Sequence, residues 1–242
     1  MELLLLVAGQ GRRLGEHTKL RNKCMLELDE KPILERSLEI AEQLPLKRWT
    51  VVVGYQSKQI SEYINSRVSS APKRFVRQNE QSGIVHAMRI ALHLLDDDIL
   101  LNLGDEFLVN DRLGEMVEYF SSNNVDFVCG VIENSLEEKI RKAYSIQCNP
   151  HTGFITSAKE KPTVPYNSML GTGYCIFSKE ILPYLNEVTI NLVRNQYELC
   201  DFITLLVKKG KRGVCIPIGD DLINVNTYEE LNYLRRIGGQ KA

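Results

Sequence analysis

The segment that most limits the fold is the first one. Leu3-Leu4-Leu5-Leu6-Val7 is apolar without alternation, and Ala8-Gly9-Gln10-Gly11 follows it directly. A strand apolar at every position is covered on both faces, the pattern of a central strand in a parallel sheet. Parallel strands need long crossovers, and the chain supplies them at an even pace. Pro32-Ile33-Leu34 opens a predicted helix reaching about Leu44, with proline in the first turn. Trp49 to Val53 reads as a second strand, ended by Gly54. Ser57 caps a helix bearing Ile60, Tyr63 and Ile64. Lys73 to Arg77 is a short strand, Gly83 to Leu95 a helix, and Ile99 to Leu103 another buried strand that runs into Gly104-Asp105. Strand and helix alternating in this way give right-handed βαβ units.

The second half mixes its signals. Val125 to Ile132, Tyr144 to Gln147, Phe154 to Ala158 and Tyr174 to Phe177 read as strands, and Ile181 to Leu185, Tyr197 to Lys209 and Thr227 to Ile237 as helices. No linker, internal repeat or low-complexity segment interrupts the 242 residues, so one domain is expected, with residues of about 1–110 and 111–242 as its two halves.

Charge is concentrated where the first strand ends. Arg12, Arg13, Lys19, Arg21 and Lys23 stand against a single carboxylate, Glu16, in a chain of net charge -1. Successive N–H groups of a glycine-bearing turn form an anion-binding hollow, and Arg and Lys add charge-assisted bonds to phosphate oxygens. A nucleoside triphosphate fits this turn. The near-neutral balance and 7% aromatic content argue against a nucleic-acid groove. No apolar run approaches a membrane span. The six cysteines are scattered, with no CxxC pair, so neither a zinc site nor a disulfide framework is expected; reduced thiols in a cytoplasmic protein are.

Other candidates carry plainer readings beside the functional ones. Gly9-x-Gly11 also occurs in dinucleotide-binding turns, but the second strand ends in Gly54-Tyr55-Gln56 rather than a ribose-binding acid, and Asp29 and Glu30 precede that strand. Asp105 follows a strand and a glycine, so it should lie at the same carboxyl edge as the Gly9 turn, where a carboxylate beside phosphates binds Mg²⁺; otherwise it forms a turn. Gln78, Gln81 and Gly83 suit a pyrimidine edge, because an amide both donates and accepts and glycine lets a flat ring approach. His86 on the next helix packs. Glu160-Lys161-Pro162 ends a strand, Asn226 or Thr227 can cap the last helix, and Asp96-Asp97-Asp98 reads as a solvated turn.

Taken in order, these segments resemble the sugar-phosphate nucleotidyltransferases, the thymidylyl- and uridylyltransferases that act on sugar 1-phosphates. The opening Leu6-Val7-Ala8-Gly9-Gln10-Gly11-Arg12-Arg13-Leu14 with Asn22-Lys23 is similar to the family signature. Gln78-Asn79-Glu80-Gln81-Ser82-Gly83-Ile84-Val85-His86-Ala87-Met88 resembles the base-binding segment of the N-acetylglucosamine-1-phosphate uridylyltransferases. Gly104-Asp105, Glu160-Lys161-Pro162, Thr172-Gly173-Tyr174, Glu198-Leu199-Cys200-Asp201 and Asn226-Thr227 follow in family order, so the resemblance spans residues 1 to about 237.

The resemblance implies an α/β fold, a Rossmann-like three-layer sandwich around a mostly parallel sheet. It implies that Arg13 holds the β- and γ-phosphates and Lys23 the α-phosphate. Ala8, Gly9, Gly11, Arg12 and Gly104 join the nucleotide site, Gln78 and Gly83 read the base, Asp105 binds Mg²⁺, Glu160 takes sugar hydroxyls and Lys161 the sugar phosphate, with Gly173 beside them. Glu16 and Asn22 stand where the family usually has proline. Asn224 stands where many members place a second metal-binding Asp, leaving Asn224 or Asn226 as the further oxygen ligand and Asp220 or Asp221 as substitutes. The chain length leaves no room for the acetyltransferase domain of the bifunctional uridylyltransferases. The implied partners are an NTP and a phosphorylated small-molecule acceptor, with a homo-oligomer left open. A cytidylyltransferase for a non-sugar phosphate or phosphonate, a non-catalytic nucleotide sensor and a dinucleotide-dependent oxidoreductase are the alternatives.

Overall fold

The computed structural model describes residues 1–28, 30–67 and 71–238, the side chains of the last two excepted; Asp29 lies outside them. The strands in chain order are β1 (Glu2–Val7), β2 (Glu27–Leu28), β3 (Lys31–Pro32), β4 (Trp49–Val53), β5 (Lys73–Arg77), β6 (Ile99–Leu103), β7 (Glu106–Val109), β8 (Phe127–Ile132), β9 (Tyr144–Cys148), β10 (Ile155–Glu160), β11 (Leu170–Phe177), β12 (Gly213–Pro217) and β13 (Asp221–Asn224). The α-helices are α1 (Leu34–Gln43), α2 (Ser57–Ser66), α3 (Ile84–Ala91), α4 (Leu113–Ser122), α5 (Glu137–Ile140), α6 (Leu199–Lys208) and α7 (Tyr228–Gly238).

One sheet runs through both halves of the chain. β1 lies inside it, parallel to β4 on one side and to β6 on the other, and β5 extends the parallel part beyond β4. β11 joins β6 antiparallel and leads to β9 and β10, while β8 pairs with β11 and, in parallel, with β12. The alternation of β1 explains the layers. Leu3, Leu5 and Val7 face α1, α2 and α4 through Leu34, Leu38, Ile60, Ile64 and Met116. Leu4 and Leu6 face α3 and α6 through Val85, Met88, Phe202, Ile203 and Leu206. Each leucine of β1 is 9% exposed or less, and burying such a side chain contributes about 1.5–3 kcal/mol. The result is the expected helix–sheet–helix sandwich.

A third, smaller core decides where the site forms. Leu14, Leu26, Leu28 and Ile33 from the N-terminal region pack with Ile223 and Val225 near β13 and Leu231 and Leu234 of α7. The ribbon β7–β13 aligns Glu106 with Asn224, and Val225 N–H donates to the Asp105 carbonyl at 3.2 Å. The end of the chain is thereby folded back onto its beginning.

Local details differ from the sequence expectations for identifiable reasons. Pro32 closes the short β2–β3 ribbon rather than opening α1. Ser57 is the first residue of α2, and the cap position is Gln56 in the left-handed region at φ 53°. The predicted helix from Gly83 tightens into a 3-10 turn over Leu92–Leu94. Cys148 and Cys215, distant in sequence, bring their sulfurs to 3.4 Å across β9 and β12 as free thiols. The acidic turn is also less solvated than expected, since Asp96 pairs with Arg48 at 2.9 Å and Asp97 with Lys47 at 2.5 Å.

Candidate active site

The turn after β1 is built around a left-handed residue. Gly11 sits at φ 70°, and a β-carbon there would lie 2.8 Å from Lys23 Cβ, so both backbone and packing require glycine. From Gly11 the chain enters a 3-10 segment, Arg12–Thr18, and the Thr18 hydroxyl ties it back to the Gly11 carbonyl at 3.1 Å. A β-carbon at Gly9 would meet only open space.

Asn22, where proline is usual, is wholly buried and holds this turn by its side chain. Its amide nitrogen donates to the carbonyls of Val7 (3.0 Å), Gly9 (3.3 Å) and Tyr55 (2.8 Å), and its oxygen accepts from Cys24 N–H at 2.9 Å. It thereby joins the ends of β1 and β4 to the segment carrying Lys23.

Lys23, 7% exposed, extends from this anchor to the Asp105 carboxylate and to Asn226 Oδ1 at 3.2 Å. Arg13 donates to the same Asn226 oxygen at 2.8 Å. Asn226 Nδ2 in turn donates to Asn224 Oδ1 at 2.8 Å. The cationic turn and the acid after β6 therefore meet, and residues from both ends of the chain converge on one amide oxygen. The side chain of Asn226 is free for this because Thr227 caps α7. Glu230 N–H donates to the Thr227 hydroxyl at 3.3 Å, and the Glu230 carboxylate accepts from Thr227 N–H at 3.0 Å, a capping box. Asp220 and Asp221 do not substitute here: they bind Arg112 at 3.0 Å and Lys139 at 2.5 Å. No cluster of three or more His, Cys, Asp or Glu suited to a metal occurs among the described residues. The Asp105 carboxylate with the amide oxygens of Asn224 and Asn226 is nevertheless a hard-oxygen set, and it already draws a lysine ammonium. That chemistry fits Mg²⁺ completed by phosphate oxygens and water.

Two connected cavities open from this point. One, about 330 Å³, is lined by Gly9, Gly11, Arg12, Arg13, Lys23, Asp105 and Asn226. The other, about 670 Å³, is lined by Gly54, Tyr55, Arg77, Gln78, Asn79 and Glu80. Gln10, Arg12, Gln81 and Gln196 border both, so they form one cleft. Gln81 donates to the Ala8 carbonyl at 2.8 Å, and Gln78 is buried at the cleft floor. Gly83 begins α3 at φ 106°, and a β-carbon there would lie 2.5 Å from the Tyr197 carbonyl oxygen.

The remaining predicted residues fall in two places. Gly104 is buried in the turn after β6; its N–H donates to the Leu6 carbonyl at 3.1 Å, and a β-carbon would press on Val7 at 2.4 Å. Gly173 lies at the irregularity between β11 and β8, and its N–H donates to both carboxyl oxygens of Glu106, at 2.8 and 3.1 Å. Burial, then the nearby Asp105 charge, raises the Glu106 carboxyl well above the ordinary carboxylate range. Glu160 ends β10 and Lys161 follows it at φ 41°. Burial and then the charge of Glu198 push Glu160 up to about 7. Burial, then Arg194 and more weakly Arg13, lower Lys161.

Those shared influences reveal residues absent from the sequence reading. Arg194 pairs with the buried Glu198, and its charge is felt by both Glu160 and Lys161. Gln196 reaches both cavities from the same loop. The nearest sequence signal was the Glu198–Asp201 segment, which begins just beyond them.

Comparison with known proteins follows the same outline. The family model described as nucleotidyl transferase matches residues 3–232. A UTP–glucose-1-phosphate uridylyltransferase, AglF, of Haloferax volcanii is 31% identical over 211 residues, covering 87% of this chain and 85% of that protein. The bifunctional protein GlmU of Thermodesulfovibrio yellowstonii is 26% identical over 251 residues, 98% of this chain; the chain spans 52% of that relative's length. Among solved structures, a UDP-glucose pyrophosphorylase complexed with UDP-glucose superposes with a TM-score of 0.86 over 99% of this chain and 98% of the other, at 20% identity. At that identity the match speaks for the fold.

Proposed function

This chain belongs to the nucleotidyl transferase family, and on that premise we propose that it transfers a nucleoside monophosphate from a pyrimidine nucleoside triphosphate to a sugar 1-phosphate, releasing pyrophosphate. UTP and glucose 1-phosphate, the substrates in the name of the Haloferax volcanii relative, are the first pair to consider. The observation that carries the reading is the convergence of Arg13, Lys23, Asp105 and Asn226 at one end of a cleft whose other end is floored by Gln78.

The reacting groups need little covalent help. The acceptor phosphate is largely ionised near neutral pH, since its second pKa is about 6, so no general base is required. Its oxygen attacks the α-phosphorus in line and pyrophosphate leaves. The protein must bring two anions together and stabilise charge on the leaving group. Lys23, buried beside Asp105, would meet the α-phosphate, and Arg13, exposed in the lining of the smaller cavity, the β- and γ-phosphates. Asp105, Asn224 and Asn226 would hold Mg²⁺, which supplies charge neutralisation at the phosphate oxygens. Lys161 with Arg194 would meet the acceptor phosphate, and Glu160 the sugar hydroxyls. A carboxyl near 7 can accept or donate to a hydroxyl, which suits that role.

Pyrophosphate release from UTP, dTTP, CTP and ATP, each with glucose 1-phosphate, N-acetylglucosamine 1-phosphate and phosphocholine, tests the proposal. Release with a sugar 1-phosphate is the expected result. Release with phosphocholine alone favours the non-sugar cytidylyltransferase, and nucleotide binding without any release leaves a sensor.

A further inference from the structure

We infer that His86 is a positioning residue that fixes which atom of the Gln78 amide faces the base, so that the cleft selects a base with an imide N–H, uracil or thymine, over cytosine. The inference rests on the function proposed above and adds a determinant of base choice to it.

Gln78 is held from every side but one. Its backbone N–H donates to the Val53 carbonyl at 2.8 Å, and the residue is 6% exposed. Its side-chain nitrogen lies 3.5 Å from the Gly83 carbonyl oxygen and 3.0 Å from His86 Nδ1. A carbonyl only accepts, so the edge of the amide toward Gly83 is its NH₂; the reverse orientation would set two oxygens against each other. With the NH₂ so placed, Nδ1 of His86 accepts and the imidazole carries its proton on Nε2. The ring is held in turn: it stacks on Tyr197 at 6.3 Å and 25°, and Tyr197 N–H and C=O are tied to Ser82 and Val85 at 2.9 and 3.1 Å.

Both amide hydrogens are thereby used inside the protein. The Gln78 oxygen has no hydrogen-bond partner among the described residues, and the residue lines the 670 Å³ cavity. What the cleft offers the base at this point is an acceptor. Uracil and thymine present N3–H to it; cytosine presents an unprotonated N3, and two lone pairs would oppose each other. Without Nδ1 the amide could turn over and satisfy either base.

The test uses three substitutions and compares kcat/KM for UTP and CTP with one sugar 1-phosphate. The wild type is expected to favour UTP by about 10²-fold or more, within the range open to a site that hydrogen-bonds its substrate. His86→Phe keeps the stack on Tyr197 but removes the acceptor, and should narrow the ratio at least tenfold through opposite changes in the two KM values, with kcat at saturating UTP nearly unchanged. His86→Asn, which restores an acceptor near the Nδ1 position, should recover most of the selectivity. His86→Leu replaces the Phe variant if the latter does not fold. The inference is overturned if the ratio is unaltered, if UTP and CTP lose activity in equal proportion, or if the wild type prefers CTP. A wild type that releases no pyrophosphate from any of the four nucleotides fails the proposed reaction itself, and the inference falls with it; that outcome is read before any variant is made.

Discussion

At the residue scale, the site depends on a few side chains that each satisfy more than one partner. Replacing Arg13 or Lys23 by alanine removes a cation that the proposed reaction sets against the triphosphate. Each change should lower kcat by about 10²–10³, equivalent to roughly 2.7–4 kcal/mol, as for other preorganised electrostatic donors. Steady-state pyrophosphate release measures this, and a Lys23→Ala enzyme with wild-type turnover would remove Lys23 from the mechanism. Asn22 makes a different kind of test. Its φ of -66° would accept proline, yet Asn22→Pro would lose the bonds to three carbonyls and the backbone N–H bond to Gln59. We expect it to destabilise the protein by about 2–4 kcal/mol in urea unfolding, even though it restores the residue usual in the family. Arg13, Lys23 and Asp105 were legible in the sequence because local signals, a glycine turn and a strand end, announce them. Arg194 was not, because its role arises only when a distant loop is folded against β10.

At the scale of elements, three strands were readable to the residue: the largely apolar Trp49–Val53 and Ile99–Leu103, and the short Lys73–Arg77 that follows α2, stand as expected. The ribbon β7–β13 was not, because it is short, begins with a glutamate that burial alone would forbid, and is stabilised by pairing with a strand more than a hundred residues away. α4 carries Leu113, Met116, Val117 and Phe120 at helical spacing, but Gly114 near its start and the lack of a side-chain cap blur it between stronger signals. Glu160 at the end of β10 makes the stability of its element depend on pH. Its folded pKa is raised from 4.5 to about 7, so between those values the folded state keeps a proton that the unfolded chain has released. Stability therefore falls as pH rises through that window and changes no further above it. Glu160→Gln should match the wild type near pH 4 and exceed it at pH 8, by up to about 3 kcal/mol, in chemical denaturation at the two pH values. In α7, Thr227→Ala should cost about 0.5–2 kcal/mol through loss of the capping box, and should also loosen the placement of Asn226.

At the scale of the whole molecule, the sheet carries strands from both halves, with β11 hydrogen-bonded to β6, so the halves share a core. Unfolding should be one transition, with Trp49 fluorescence and far-ultraviolet circular dichroism giving the same midpoint. Excess UTP with Mg²⁺ should raise that midpoint; a hundredfold excess over Kd adds about 2.7 kcal/mol, and the gain should shrink with chelator or with Asp105→Asn. The layered α/β architecture could be anticipated because it follows from where apolar residues recur. The third core, which folds β13 and α7 over the first turn, could not, since nothing in the pattern of Leu231 and Leu234 says which surface they meet.

That clasp between the two ends of the chain sets a schedule for synthesis. A ribosome delivers Arg13 and Lys23 among the earliest residues and Asn226 some two hundred later. Until then the guanidinium and the ammonium lack the amide oxygen they share, so a growing polypeptide cannot borrow stability from its nucleotide and must reach its sheet on apolar burial alone.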